Sequence, residues 1–301
     1  MSGGHREAKA RKSVTLLSLA GKKAANEPIV MVTAYDHPSA RIADEVGVDL
    51  VLVGDSAANV VLGYDSTVPV TVEEMLVLTR AVRRGLHSAL LVADLPFGSY
   101  EASNEAAVRT AQRFVKEGGA DAVKLERGGT SVDRARAVIE AGIPVMGHVG
   151  LTPQAATALG GYRVQGRTAD QAERLIHDAL ELQESGCFAI VLEAVPAAVT
   201  ELLVPQLTCV VIGIGAGGAT DGQVLVWHDL LGLSSGHVAK FVRQFADLRA
   251  EAIRGLSAYA AAVRQREFPA TEHTYAIAHE ELDDLRARLA VDAAPDTVDS
   301  I

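Results

Sequence analysis

Four segments of the 301-residue chain repeat one local order: a helix end, a glycine, an apolar run, then a polar residue. They are EVGVDLVLVGD (45–55), EGGADAVKLE (117–126), EAGIPVMGH (140–148) and ESGCFAIVLE (184–193). A glycine after a helix suits the left-handed backbone that ends it, where a Cβ is penalised. The apolar runs are rich in Val, Ile and Leu and barely alternate. Strands of a parallel sheet read this way when both faces are covered. Amphipathic helical stretches lie between them. VEEMLVLTRAVRRG (72–85) follows Thr71, which forms a capping box with Glu74. NEAAVRTAQRFVKEG (104–118) and ADQAERLIHDALELQESG (169–186) keep apolar residues three and four apart, the second behind Thr168 as N-cap.

Strands alternating with helices mean right-handed βαβ units. The candidate strands are 29–34, 50–53, 90–93, 122–125, 143–147, 189–192 and 209–215, with a weak eighth at LLGL (230–233). That count points to a (β/α)8 TIM barrel over residues 27–268. A doubly wound open sheet is the competing arrangement. Residues 1–26 read as an arm and a helix, and 237–268 as a long terminal helix or two. Residues 269–301 read as a tail, with a helix over 276–290 and a loose end. The run Gly213-Ile214-Gly215-Ala216-Gly217 is either a phosphate cradle or tight backbone packing, and packing is the favoured reading.

At 49% hydrophobic and 4% aromatic, the core must be filled mostly by aliphatic side chains. No apolar run approaches the ~20 residues needed to span a bilayer, and LLSLAG (16–21) is too short for a secretory signal. A cytoplasmic protein is expected, with no membrane partner. A net charge of −10 argues against nucleic acid as a partner. Cys187 and Cys209 lie apart in apolar segments, without metal-ligand spacing, and read as small buried hydrophobes.

Active sites of such barrels form at the C-terminal ends of the strands. Asp55, Asp94, Glu126, His148 and Glu193 all occupy that end. Acids converging on one mouth repel, and an oxygen-rich set suits Mg²⁺ better than a soft metal. Lys124 lies two residues before Glu126 on one strand, so both side chains face the barrel mouth. A lysine inside a parallel strand is costly unless it is paired. The bland alternative makes these acids helix caps or solvated loop residues, Asp55 before Ser56 above all.

Several blocks carry a resemblance. GDS (54–56), GYDSTVPV (63–70), ADLPFGSY (93–100), VKLE (123–126), GHVGLTPQ (147–154), GGYRVQGR (160–167), LEAVP (192–196) and IGIGAG (212–217) with TDGQVLVWHDLLGL (220–233) together resemble the ketopantoate hydroxymethyltransferase family. The resemblance implies a barrel of the phosphoenolpyruvate/pyruvate superfamily type. It implies transfer of a hydroxymethyl group from 5,10-methylenetetrahydrofolate to 3-methyl-2-oxobutanoate, giving 2-dehydropantoate for pantothenate and coenzyme A. It further implies Mg²⁺ on Asp55, Asp94 and Glu126, and keto-acid contacts from Asp55, Ser56, Asp94 and Lys124. Glu193 corresponds to the family's proton acceptor, His148 to an active-site histidine, and the implied assembly is a homodecamer, a pentamer of dimers. Two features depart from the pattern. Arg127 follows Glu126 where many relatives have glycine, and the chain runs on past EHTY (272–275), where the family usually stops.

The residues and the resemblance lead to one enolate mechanism, with Glu193 as base and Lys124 stabilising negative charge. GGYRVQGR, with Arg163 and Arg167, reads as a lid over the folate. The rival reading is another Mg²⁺-dependent 2-oxo acid enolate enzyme, a lyase or mutase of the same superfamily. A non-catalytic metabolite-binding barrel is disfavoured by the full set of acids.

Overall fold

The computed structural model describes residues 11–155, 161, 163–236 and 238–292. Its sheet is a closed barrel of eight parallel strands in sequence order. They are β1 (Ile29–Thr33), β2 (Leu50–Val53), β3 (Leu90–Asp94), β4 (Ala122–Lys124), β5 (Val145–Gly150), β6 (Ala189–Glu193), β7 (Val210–Ile214) and β8 (Gly222–Leu225). Pairing of β8 with β1 closes the ring, which rules out the open sheet.

The period of two along each strand builds two apolar layers. Leu50, Leu52, Leu90, Val92, Ala122, Met146, Ala189 and Val191 fill the barrel interior. Val51, Val53, Leu91, Ala93, Val123 and Leu125 face the helices instead. The helix Leu16–Ala24, capped by Thr15, sends Leu19 into the interior cluster. The expected caps form: Thr71 accepts from the Glu74 amide and Thr168 from that of Gln171. Gly47, Gly119, Gly142 and Gly186, behind helices in the repeated segments, all have positive φ.

Two expected elements differ. The eighth strand is Gly222–Leu225, not 230–233, which follows the short helix Trp227–Leu230. No helix separates β7 from β8. Gly222 pairs with Ile212, so residues 215–221 step back only a short way. Glycine makes that return possible: a Cβ on Gly215 would stand 2.6 Å from the Phe241 ring, and one on Gly217 2.7 Å from Ala197. The 213–217 run is therefore tight packing. The expected helix over 237–268 begins only at Leu248. Before it, Phe241 packs on Gly215 and the Phe245 amide donates to the Leu230 carbonyl, so this segment serves tertiary contacts.

The chain groups into two compact units, one through Asp247 and one from Leu248 on. The second holds the helices Leu248–Arg264 and His279–Asp292, with the Phe268 ring between those of Tyr259 and His273. The loose end expected beyond residue 292 lies outside the described residues.

Candidate active site

Asp94, Lys124 and Glu193 are the last residues of β3, β4 and β6, and His148 lies within β5. Each continues an inward-facing series: Leu90 and Val92 lead to Asp94, Ala122 to Lys124 and Glu126, Met146 to His148, and Ala189 and Val191 to Glu193. Asp55 breaks this parity, because Gly54 takes the inward place after Leu52. A Cβ on Gly54 would sit 2.8 Å from Ser56 Oγ, so a larger residue there would displace the serine hydroxyl. The turn aims the Asp55 amide at Asp94 Oδ2, 2.9 Å away.

These side chains and Ser56 line one pocket of about 90 Å³, walled below by Leu52, Val191, Ile214 and Val224. Lys124 Nζ stands 3.0 Å from Asp94 Oδ1 and 3.8 Å from Glu126 Oε1. His148 bridges the pocket. Its Nδ1 lies 3.2 Å from Lys124 Nζ and 3.4 Å from Glu126 Oε1, and its Nε2 3.3 Å from Glu193 Oε2. The capping alternative for Asp55 and Ser56 fails. Asp55 Oδ2 accepts from Gln154 across the pocket at 2.9 Å. Ser56 precedes the short helix Ala57–Val60 without a side-chain cap bond, and its hydroxyl lies 2.8 Å from that of Tyr35.

Burial dominates the electrostatics. It pushes the Asp55 carboxyl well above its ordinary range, and the charges of Glu126 and Asp94 push the same way. Asp94 is also raised by burial, against the pull of Lys124. Burial opposes charge on Lys124, yet Asp94, Glu126 and Asp55 outweigh it and raise the ammonium above the usual lysine range. Burial would lift Glu126 too, but His148 and Lys124 bring it below its ordinary value. Burial and Lys124 oppose protonation of His148, while contacts to Glu126 and Glu193 raise it to about 9.

The donor set fits a hard divalent cation. It is all carboxylate, and its four acids outnumber the two basic groups, Lys124 and His148, that share the pocket. The three acids are more widely spaced than a closed ligand cage. Among the described residues, ligand atoms within 4.8 Å of one another occur in His177, Asp178 and Glu181 on the helix Ala169–Glu184, an exposed to half-buried group.

Sequence reasoning missed three polar residues that hold the site: Gln154, Tyr100 and Tyr35. Gln154 and Tyr100 end the quoted blocks GHVGLTPQ and ADLPFGSY, which was the available signal. Arg163 and Arg167 are exposed, and Gly160 and Tyr162 of the expected lid lie outside the described residues. A larger cavity of about 620 Å³ adjoins in sequence, its lining including Arg127, Gly150, Gln165, Arg174 and Asp178. Gly150 is the register partner of Glu193. Arg127 holds φ of 80°, the conformation for which glycine is suited and other residues are strained.

The chain is similar to known proteins over most of its length. The chain is 54% identical over 265 residues to 3-methyl-2-oxobutanoate hydroxymethyltransferase of Moorella thermoacetica, covering 88% of this chain and 98% of the relative. It is 51% identical over 259 residues to the enzyme of that name from Geobacillus kaustophilus, covering 86% and 93%. Among solved structures, phosphonopyruvate hydrolase with oxalate and Mg²⁺ shares the fold at a TM-score of 0.57 and 12% identity, over 93% of this chain and 97% of that one. So does 2,3-dimethylmalate lyase, a PEP mutase/isocitrate lyase superfamily member, at 0.52 and 16%, over 94% and 99%. The ketopantoate hydroxymethyltransferase family model matches residues 13–271, and the chain belongs to that family.

Proposed function

We propose that this protein transfers a hydroxymethyl group from 5,10-methylenetetrahydrofolate to 3-methyl-2-oxobutanoate, giving ketopantoate through an enolate. One observation carries the reading. Asp55 and Asp94 lie at the ends of β2 and β3, while Glu193 ends β6, across an eight-stranded barrel, and all three line one small pocket. A metal-binding group and a separate base thus face each other over a space suited to a small acid.

Asp55, Asp94 and Glu126 are the residues that would hold Mg²⁺, which when bound polarises the keto group. Glu193 takes the C3 proton of the keto acid, and His148 Nε2 stands 3.3 Å from its carboxylate. The Lys124 ammonium offsets the negative charge of the enolate and, with Ser56, faces the substrate carboxylate. The enolate carbon then bonds to the folate-borne methylene as one of its two bonds to folate nitrogen breaks. Water replaces the second folate nitrogen on that carbon, and the protons released from C3 and from the water go to the two nitrogens, giving tetrahydrofolate and the hydroxymethyl product.

The folate is too large for the inner pocket. We place it outside, along the adjoining cavity and the 163–167 segment. Replacing Arg163 and Arg167 with alanine should raise the folate KM; an unchanged KM and turnover would remove them from that role. The family resemblance supports a cytoplasmic homodecamer, which mass photometry would read directly. No described helix is long and apolar enough to cross a membrane. The function itself is tested by mass spectrometry of 3-methyl-2-oxobutanoate incubated with enzyme, Mg²⁺ and the reduced folate. Folate-dependent gain of one hydroxymethyl group is expected; cleavage or rearrangement of the keto acid would favour a lyase or mutase instead.

A further inference from the structure

We propose that Gln154 is a positioning residue that aims two of the metal-site carboxylates without neutralising them. The inference rests on the metal reading above and names what holds that site in shape.

Gln154 sits in the single turn Pro153–Ala155 after β5 and is 6% exposed. Its main-chain N–H donates to Glu126 Oε2 at 3.1 Å. Its side-chain amide donates to Asp55 Oδ2 at 2.9 Å and to the Leu95 carbonyl at 3.0 Å. Its Oε1 accepts from the Tyr100 hydroxyl at 2.7 Å, and that hydroxyl accepts from the Glu126 amide at 3.3 Å. The amide can point only this way: the Leu95 carbonyl accepts and never donates, so the NH₂ must face it. The result is a closed ring from the Glu126 amide through Tyr100 and Gln154 back to the Glu126 carboxylate, with Asp55 held as a branch by the Gln154 side-chain amide.

Each of the three acids has one oxygen pinned by a neutral N–H. Gln154 supplies two of these donors, and the Asp55 amide, on Asp94 Oδ2, supplies the third. A lysine or arginine at position 154 would hold the same oxygens but cancel the charge that attracts a cation. A neutral donor fixes rotation and leaves the negative charge in place. Partners behind metal ligands typically change metal affinity 10–100-fold when removed.

The test uses the full-length protein and Mn²⁺ alone as probe, titrated calorimetrically without substrates. Gln154→Leu keeps the volume and the main-chain donor, and should weaken Mn²⁺ binding about 10–100-fold relative to wild type. Tyr100→Phe removes one hydroxyl and should weaken it less, in the same direction. A glutamine that serves folding alone would lower Tm and leave the Mn²⁺ affinity of the folded protein unchanged; that result overturns the proposal. Should Gln154→Leu fail to fold, Tyr100→Phe decides, and unchanged Mn²⁺ affinity there overturns it equally. Failure of the wild type itself to bind Mn²⁺ would instead sink the metal reading.

Discussion

The two ends of the barrel both carry acids beside strands, but they treat charge in opposite ways. At the N-terminal end Asp49, Asp121 and Asp221 each immediately precede a strand. Each accepts the amide of a neighbouring strand: Val30 at 3.0 Å, Leu91 at 2.8 Å and Val211 at 2.7 Å. Each is matched by cations: Arg11 and Lys22 on Asp49, Arg83 on Asp121, Lys23 on Asp221. At the C-terminal end Asp55, Asp94, Glu126 and Glu193 share Lys124 and His148. The structural acids are balanced where they stand, whereas the pocket holds carboxylates in excess. An unbalanced buried set is costly to fold and is what a cation-dependent site needs.

The comparison can be broken in several ways. The largest expected effect on stability is at Lys124, 4% exposed among the acids. Lys124→Met should destabilise the protein by about 3–5 kcal/mol in urea titrations without divalent cation, because it leaves buried carboxylates uncompensated. Mg²⁺ should recover part of that loss. At the other end, Asp49→Ala should cost about 1–3 kcal/mol through the unsatisfied Val30 amide and lost ion pairs, yet leave kcat unchanged. A fall in kcat for the folded variant would blur the distinction between the two ends.

A gentler effect follows from His148, whose folded value of about 9 lies above the ordinary 6.5. Its contribution to stability is full below pH 6.5 and is lost as pH rises toward about 9. Denaturation across that window should show a steeper decline in the wild type than in His148→Gln. The smallest effect is at Arg127. Arg127→Gly relieves a left-handed residue worth about 1–2 kcal/mol and adds roughly 0.5–1 kcal/mol of unfolded-state freedom. A net gain of about 0.5–1 kcal/mol in stability is expected from these terms; a loss would show that the arginine makes contacts that favour its strained backbone.

Much of this architecture was legible in the chain, and the failures have physical causes. The glycine-ended helices and unbroken apolar strands announced a parallel barrel, because backbone handedness and double burial leave local marks. Asp94, Glu126, His148 and Glu193 were legible by their place at the strand ends, and Lys124 through its parity with Glu126. Asp55 was legible by its place after a strand, though the turn at Gly54 that redirects it was not. β8 escaped because GQVL is short and follows β7 without a helix, so the alternation that revealed the other strands stops there. The segment at 241–245 reads as helix by its apolar spacing, but the Phe241 ring packs on Gly215 and the Phe245 amide is taken by the Leu230 carbonyl. The roles of Gln154, Tyr100 and Tyr35 leave no periodicity or spacing to read, since their partners lie 21 to 99 positions away; only the blocks that Gln154 and Tyr100 end pointed to them.

The central claim is that Glu193 removes a proton from an oxo acid seated among Asp55, Asp94, Lys124 and Glu126. It is tested most directly by NMR of 3-methyl-2-oxobutanoate in D₂O, with enzyme and Mg²⁺ but no folate. The wild type should exchange the C3 hydrogen for deuterium, and Glu193→Gln should exchange it roughly 10²–10⁴-fold more slowly while still binding the keto acid. Exchange at the wild-type rate in Glu193→Gln would contradict the account.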